Sequence, residues 1–367
     1  MARTLRRLAG RIEGALPMSG DRGLMTTVLC VLVCFAVACG VPEPTPPPLA
    51  EAASVSPPDA GAGTILRLDP RFDALVPPDA HIEKLADGFV FTEGPVWSRS
   101  ESRLLFSDVR GNTIYAWTEG EGASPFIDPV FEGDRTGLRS ISSNGLTLDT
   151  DGRLIMCEHG NRRISRVEAD GTRTTLVDAY EGRRLNSPND ATYASDGWLY
   201  FTDPGSALEG RDESPLRELD FNGIYRLSPE GELELLYQDQ SRPNGIALSP
   251  DESTLYVANS DGSQALWMAY DLDTSGVSNP RVFYDVTAED AEGAPDGMKV
   301  DVSGHLFATG PGGVWVLAPD GTHLGTIRPD EVPANVAWGD DGRTLYMTAR
   351  TGLYRIRLTT EGAIPGP

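Results

Sequence analysis

A pattern of short apolar stretches repeats six times along the chain and strongly limits the folds it can adopt. In each copy a polar residue opens one apolar stretch, a turn rich in Asp and Gly follows, and a second apolar stretch comes next. The second stretches are LLFSD at 104, LIMCE at 154, LYFTD at 199, LYVAN at 255, LFATG at 306 and LYMTA at 345. Their starting points lie 50, 45, 56, 51 and 39 residues apart, which is typical of four-stranded propeller blades.

The two ends of the repeat region indicate how the blades close into a ring. A third apolar stretch follows each second one, but the last copy ends at LYRIRL and has no fourth stretch after it. The segment HIEKLADG, residues 81 to 88, precedes the first copy and can supply the missing outer strand. Closure of this kind removes exposed sheet edges. We therefore predict an all-β fold, a six-bladed β-propeller in which an N-terminal strand closes the last blade.

The composition is consistent with a fold rich in turns and limits the classes of partner that the chain is expected to bind. The 40 Gly and 28 Pro favour many turns over long helices. The 31 Lys and Arg against 54 Asp and Glu give a net charge of -23, which argues against nucleic acid as a partner. Cations are the more natural ligands of such a chain, although an acidic surface can also serve solubility alone.

The first 39 residues are typical of a signal peptide. Arginines precede the apolar run TTVLCVLVCFAVAC at 26 to 39, which is too short for a membrane span. The ending AVAC before Gly40 resembles a bacterial lipoprotein signal, in which Cys39 is lipidated; the alternative is simple cleavage near Ala38. Both predict export, to the periplasm or the cell surface. Any membrane contact is then expected through the lipid anchor alone.

A linker separates this signal from the folded part. Residues 40–64 are rich in Pro and Ala and show no apolar periodicity, so we expect a disordered tether followed by the propeller at 65–367. Only one cysteine, Cys157, lies beyond the signal, which excludes an internal disulfide there. Because Cys157 ends the apolar stretch LIMC, we interpret it as a small buried residue and not as a catalytic thiol.

One polar residue stands at the start of the inner strand in every copy: Glu93, Asn144, Asn189, Asn244, Asp296 and Asn335. Turn chemistry explains part of this, because Asn or Asp before Gly suits the bend before a strand. In a propeller, however, all six side chains converge on one end of the channel. Two carboxylates, Glu93 and Asp296, then call for a cation, and oxygen ligands of irregular geometry suit Ca²⁺ better than Mg²⁺. Zinc prefers His or Cys ligands.

Five motifs in order carry a family resemblance: EGPVW, RLNSPND, FTDP, RPNGIALSPD and PDGMKVD. Together they resemble the gluconolactonase and regucalcin family of six-bladed propeller lactonases, over about Phe91 to Leu358. The resemblance implies that Glu93, Asn244 and Asp296 bind a divalent metal and that Asn189 binds metal or substrate. Ca²⁺ is the expected ion, with Mg²⁺, Mn²⁺ and Zn²⁺ as alternatives. It further implies lactone hydrolysis with Asp296 as the catalytic residue.

Further residues are expected to contact substrate. Asn144 and Arg184 lie in motifs near the predicted channel mouth, and His159 falls in a connection on that face, where its imidazole could also relay a proton. Some animal members have an Arg at the position of Ser187, so the sugar contacts of this chain are expected to differ. The long segment 202–222 is either a cover over the site or a disordered insertion.

Two other functions fit the same pattern. A phosphotriester hydrolase could use the same metal, and a non-catalytic propeller could bind a ligand at its mouth. The charged channel favours catalysis over mere binding. We expect a monomer that opens a small-molecule sugar lactone.

Overall fold

The structure, a computed structural model, describes residues 61–367. The predicted signal peptide, with Cys39, and the linker up to residue 60 lie outside the described residues.

Six antiparallel sheets form the blades, and each is numbered here by its place along the chain. Blade 1 comprises Thr92–Ser98, Arg103–Asp108, Thr113–Thr118 and Gly122–Ile127; blade 2 comprises Ser143–Leu148, Leu154–Glu158, Arg163–Val167 and Arg173–Val177; blade 3 comprises Ala191–Tyr193, Leu199–Asp203, Gly223–Leu227 and Leu233–Tyr237. Blade 4 comprises Pro243–Leu248, Thr254–Asp261, Gln264–Asp273 and Gly276–Asp285; blade 5 comprises Met298–Val300, Leu306–Gly310, Gly313–Leu317 and His323–Pro329; blade 6 contains Pro333–Gly339, Thr344–Ala349 and Gly352–Arg357.

The first strand of each blade lies innermost, and these inner strands contact one another in sequence around a closed ring. The inner strand of blade 6 also packs against that of blade 1, which completes the circle. The prediction of a six-bladed, all-β propeller is therefore confirmed. Within residues 61–367 the only helices are two short 3₁₀ turns, Pro70–Ala74 and Arg211–Glu213, and neither is long or apolar enough to cross a membrane.

The N-terminal closing strand is confirmed. Ile82–Asp87 pairs antiparallel with Gly352–Arg357, the third strand of blade 6, in a register that places Ile82 opposite Ile356. Both isoleucines are buried. The last blade is thus built from both ends of the propeller, which ties the ring shut.

A strand that the sequence did not predict lies before this closing strand. Gly63–Arg67 pairs with His323–Pro329 and adds a fifth strand to blade 5. Gly63 and Thr64 belong to the predicted linker, so regular structure begins two residues before the predicted boundary at 65. The 3₁₀ helix Pro70–Ala74 follows and inserts Phe72 into the core, where it is fully buried.

The second strand of each blade supplies most of the core. All five residues of Leu154–Glu158, Leu199–Asp203 and Leu306–Gly310 are buried, because neighbouring blades cover both faces of these strands. This explains why the repeats contain continuous apolar runs and not a strict alternation. Cys157 lies in one such strand as a buried free thiol, and burial raises the pKa of that thiol well above its usual range, as expected for a packing residue.

Two long connections lie over blades 2 and 3 at the end of the ring where the inner strands begin, called here the upper end. Segment 128–142 and segment 204–222 meet in a backbone bridge between Leu138 and Leu208, and the Arg139 N–H donates to the Ala207 carbonyl oxygen at 2.7 Å. Ala207, Leu208 and Leu219 are buried. The second segment is therefore an ordered part of the upper end and not a disordered insertion.

Candidate active site in the propeller channel

The structure places the six predicted polar residues at the upper end, each at or just before the start of an inner strand. Glu93 and Asn244 are the second residues of their strands, whereas Asn189 and Asp296 come two residues before theirs. Glu93 and the four asparagines, Asn144, Asn189, Asn244 and Asn335, are buried, and Asp296 is half-buried. The backbone thus brings these six residues to the same end of the propeller, as the repeat pattern predicts.

Hydrogen bonds between blades hold these positions together. The Gly145 N–H donates to the Asn189 carbonyl oxygen at 2.7 Å, which joins blade 2 to blade 3. A hydroxyl near the end of a second strand repeats the same link: Ser107 Oγ donates to the Asn144 carbonyl oxygen at 2.8 Å, and Thr202 Oγ1 donates to that of Asn244 at 2.6 Å. Asn144, Asn189 and Asn244 are therefore each fixed by their own blade and by the preceding one.

The glycines that follow the site residues are explained by close approach. A Cβ added to Gly245 would lie 2.2 Å from the Asp296 carbonyl oxygen, and one added to Gly297 would lie 1.9 Å from Asn335 Cγ. Neither glycine has a positive φ, so the bend chemistry expected from the Asn-Gly and Asp-Gly pairs is not what requires them. The missing side chains let adjacent inner strands meet around a narrow channel.

Three carboxylates share this channel. Burial raises the pKa of Glu93 to about 7; the Gly94 N–H opposes this shift, and the charge of Asp190 adds to it. Burial, then the charges of Glu93 and Asp190, raise the pKa of Asp296 well above its usual range. Burial also raises the pKa of Asp190. Like charges crowded away from water are costly unless a cation offsets them.

Asp190 and Lys299 are site residues that the sequence analysis did not single out. Asp190 is buried; one carboxylate oxygen accepts the Ala191 N–H at 2.9 Å, and the other has no partner in the structure. Burial raises the pKa of both Glu93 and Asp190, and the positive charge of Lys299 opposes that rise in each case. Asp190 is the last residue of the motif RLNSPND, so its position was visible in the sequence. For Lys299 the signal was a lone cation inside an inner strand whose flanking residues, Met298 and Val300, are buried.

The oxygen atoms around the channel fit a hard divalent cation. Asp296 Oδ1 is buried and has no hydrogen-bond partner among residues 61–367, and Asn244 lies within hydrogen-bond reach of the Asp296 carboxylate. Glu93 is also within reach of Asn335. Within residues 61–367, no three His, Cys, Asp or Glu side chains are grouped closely enough to hold a metal by themselves. A metal here must therefore take amide oxygens beside the carboxylates, which suits Ca²⁺ better than Zn²⁺.

Polar side chains at the ends of the second strands fix the approach to the site. Asp203 accepts the N–H groups of Asn186 and Ser187, both at 2.7 Å, just before Asn189. Asp108 accepts the Phe91 N–H at 2.9 Å in blade 1. In blade 4 the same role falls to Asn259, which accepts the Arg242 N–H at 2.7 Å. These three residues are the last ones of the repeats LLFSD, LYFTD and LYVAN. The sequence therefore showed the pattern, but not that these side chains hold the backbone before the inner strands.

His159 lies at the upper end but makes no hydrogen bond to the three carboxylates. The ring Nδ1 pairs with Ser140 Oγ at 2.8 Å, and Nε2 is buried without a partner in the described part of the chain. Burial lowers the pKa of His159 to about 4, so the imidazole is neutral at neutral pH. A role of His159 as base or substrate contact stays a prediction. In the structure His159 is buried beside the start of blade 2.

Arg184 lies on the rim of the upper end. It belongs to a small hairpin formed by Ala179–Tyr180 and Arg183–Arg184, and the guanidinium donates to the Asn161 carbonyl oxygen at 2.7 Å. The side chain is exposed. Contact between Arg184 and substrate therefore also stays a prediction.

Comparison with known proteins identifies the family. Residues 91–351 match the SMP-30/Gluconolactonase/LRE-like region. A gluconolactonase of Zymomonas mobilis is 39% identical over 312 residues, which cover 82% of this chain and 87% of that protein. The solved gluconolactonase of Xanthomonas campestris superposes with a TM-score of 0.74 at 31% identity, over 83% of this chain and 98% of that one.

A more distant solved structure shares the fold. The calcium-binding protein regucalcin of Agrobacterium tumefaciens is 19% identical, with a TM-score of 0.61 over 76% of this chain and 93% of that one. The family model spans all six inner strands and the first two strands of the sixth blade. The chain therefore belongs to the SMP-30/gluconolactonase family and is a lactone-hydrolysing enzyme.

Proposed function

We propose that this chain is an exported sugar lactonase that depends on a divalent cation held in the propeller channel. The observation that carries the proposal is the buried, unpartnered Oδ1 of Asp296 beside a second buried carboxylate, Glu93. The gluconolactonase relatives support the substrate class. Regucalcin, a calcium-binding protein of the same fold, makes Ca²⁺ the first ion to test.

Four residues would hold the cation: Glu93, Asn189, Asn244 and Asp296. All four stand at inner-strand starts, where inter-blade hydrogen bonds fix the backbone. Mg²⁺, Mn²⁺ and Zn²⁺ remain alternatives to Ca²⁺. When bound, a divalent cation polarises a carbonyl oxygen and stabilises the negative charge that develops on it.

Asp296 is the best candidate for the base that activates water. Hydrolysis adds water to the lactone carbonyl carbon, breaks the bond to the ring oxygen, and leaves a carboxylate and a hydroxyl group. One oxygen of the Asp296 carboxylate is buried without a hydrogen-bond partner within residues 61–367, and a carboxylate oxygen so placed can accept a proton from water. Asn189 and Asn144 lie in the same ring and can orient the hydroxyl groups of a sugar.

Activity on two ester panels tests the proposal. The purified protein should hydrolyse aldonolactones faster than phosphotriesters, and a chelator should abolish that activity until Ca²⁺ is restored. Chelation should also lower the melting temperature, because the ligands come from four blades and the cation ties them together. Preference for phosphotriesters would favour the rival hydrolase, and tight metal binding without turnover of any ester would favour a binding module. Unchanged activity and melting in chelator would exclude the metal.

Export through a lipidated N-terminus belongs to the same proposal. The string AVAC at 36 to 39, after an apolar run, supports lipidation of Cys39. On this proposal the enzyme acts on its substrate outside the cytoplasm, in the periplasm or at the cell surface.

A further inference from the structure

Four arginines lie on connections at the upper end, close enough for their charges to act on one another. Arg110 lies in the turn that follows the second strand of blade 1, and Arg242 lies two residues before Asn244 in blade 4. Arg139 and Arg211 lie on the two long connections over blades 2 and 3. The four arginines occupy different positions relative to the repeats, so the repeat pattern does not predict that they lie near one another.

Specific contacts place each of these arginines. Pairing of Leu138 with Leu208 brings Arg139 close to segment 204–222, on which the Arg211 N–H donates to the Leu208 carbonyl oxygen at 3.1 Å. Arg211 has a φ of 52°, a conformation that non-glycine residues seldom adopt. The Arg110 guanidinium carbon lies 5.1 Å from the ring centre of Phe91, two residues before Glu93. The Arg242 backbone is fixed by Asn259.

None of the four forms an ion pair within residues 61–367. Elsewhere in that range arginines are commonly paired, as in Arg163 with Glu158 at 3.0 Å and Arg217 with Asp212 at 2.6 Å. Burial, followed by repulsion from Arg211, Arg110 and Arg242, lowers the pKa of Arg139. A chain with a net charge of -23 has ample carboxylates to neutralise such a cluster, and it leaves this one open.

The surrounding acidic groups leave room for an anion. Asp261 is the carboxylate near Arg242; the Ser263 N–H is the main cause of its lowered pKa, and Arg242 is a lesser one, with no ion pair between them. Across the mouth, Glu292 is paired with Arg350 at 2.9 Å. The positive field therefore lies over blades 1 to 4, whereas Asp296 belongs to the start of blade 5.

We propose that Arg110, Arg139, Arg211 and Arg242 bind an anionic group of the substrate, so that the lactones this enzyme prefers carry a phosphate or a second carboxylate. The inference rests on the proposed lactonase function and narrows its substrate class. Guanidinium groups match phosphate and carboxylate oxygens with paired hydrogen bonds. A ring of unpaired cations also attracts anions to the channel mouth and so raises the association rate.

The test compares kcat/KM for glucono-1,5-lactone, its 6-phosphate and the monolactone of a hexaric acid. At low ionic strength we expect at least one charged lactone to be favoured by about tenfold or more, and the advantage to shrink as salt screens the charges. Arg139→Gln and Arg242→Gln should each lower kcat/KM for the favoured charged lactone by about tenfold, and by clearly less for the neutral one. Which charged lactone responds distinguishes phosphate from carboxylate.

The matched control is Arg328→Gln, which removes the same charge from an exposed position on the outer side of blade 5 and should leave all three lactones unaffected. Inorganic phosphate provides a second readout, since it should inhibit the wild-type enzyme competitively and the Arg139→Gln variant more weakly. Equal losses on neutral and charged lactones, or wild-type preference for the neutral lactone without phosphate inhibition, would overturn this inference while leaving lactonase activity intact. Hydrolysis of no lactone at all would instead remove the proposed function.

Discussion

Replacing Gly245 by Ala tests whether the inner strands approach as closely as the channel requires. The new Cβ would lie 2.2 Å from the Asp296 carbonyl oxygen and 2.7 Å from Gly297 Cα. Both of these are backbone atoms, so no side chain can rotate away. To reach the 3.0 Å below which Cβ contacts are essentially never seen, the strands of blades 4 and 5 must separate by roughly 0.8 Å.

That separation has a cost in stability and in activity. Overpacking of a tight site costs about 2–3 kcal/mol, which for a domain of this size corresponds to a melting temperature lower by about 3–5 °C. Because Asp296 itself must move, kcat/KM for a lactone should fall by roughly tenfold to a hundredfold.

The assay is calorimetric melting together with lactone hydrolysis, and blade 4 also offers the control. Gly262 lies in the turn Asp261 to Gln264, and a Cβ there would meet no atom within 4 Å. Gly262→Ala should therefore change the melting temperature by no more than about 1 °C. If Gly245→Ala behaved like this control in both measurements, the account of close strand approach would be refuted.

Three further changes probe other parts of the account. Cys39→Ala should move the protein from the membrane fraction to a soluble exported form, and unchanged fractionation would argue against lipidation. Asp301→Asn should lower stability by about 2 kcal/mol at neutral pH, because the carboxylate accepts hydrogen bonds from His305. Burial alone would raise the pKa of Asp301, but the hydrogen bonds outweigh it and lower that pKa. The stability that Asp301 contributes is therefore present above the unfolded pKa of about 4 and is lost as pH falls. A difference in unfolding free energy between wild type and variant that fails to narrow in acid would contradict this. Asp108→Ala should cost roughly 2 kcal/mol in urea unfolding, because three backbone N–H groups, including that of Phe91, lose their acceptor; no change would show that water replaces it.

The parts of the fold that repeat could be predicted from sequence. Six copies of one strand pattern identify the propeller, and the missing fourth strand of the last copy points to Ile82–Asp87. The convergence of Glu93 and Asp296 follows from the same repetition, because equivalent positions of a ring must meet at its axis. Repetition therefore predicts where side chains converge, even with no three-dimensional information.

Features that occur only once could not be predicted in this way. Gly63–Arg67 adds a strand to blade 5 through pairing with residues about 260 positions away, and no local pattern reports such a contact. Asp190 and Lys299 become site residues only when blades 3 and 5 are brought around one channel. The need for Gly245 was also misjudged, because its cause is a neighbouring blade and not the local bend.

The four arginines of the upper end illustrate the same limit for function. Arg139 and Arg211 are about 70 residues apart and meet through two irregular connections. Connections of this kind carry specificity because they vary while the blades stay constant. The reaction type could therefore be inferred from repeats and motifs, whereas the charge of the substrate required the folded chain.

The most direct test of the central claim is lactone hydrolysis by Asp296→Asn at saturating Ca²⁺. The amide oxygen can still bind a cation, and Glu93, Asn189 and Asn244 are unchanged, so metal affinity should weaken without being lost. An amide cannot accept the proton of water, so kcat should stay lower by a factor on the order of a hundred to ten thousand even when metal binding is complete. Calorimetric Ca²⁺ titration fixes the saturating concentration for each protein, and steady-state rates are then compared. A persistent defect in kcat is the predicted result. Full recovery of kcat would show that Asp296 is only a ligand, and the base would have to be sought elsewhere, beginning with His159.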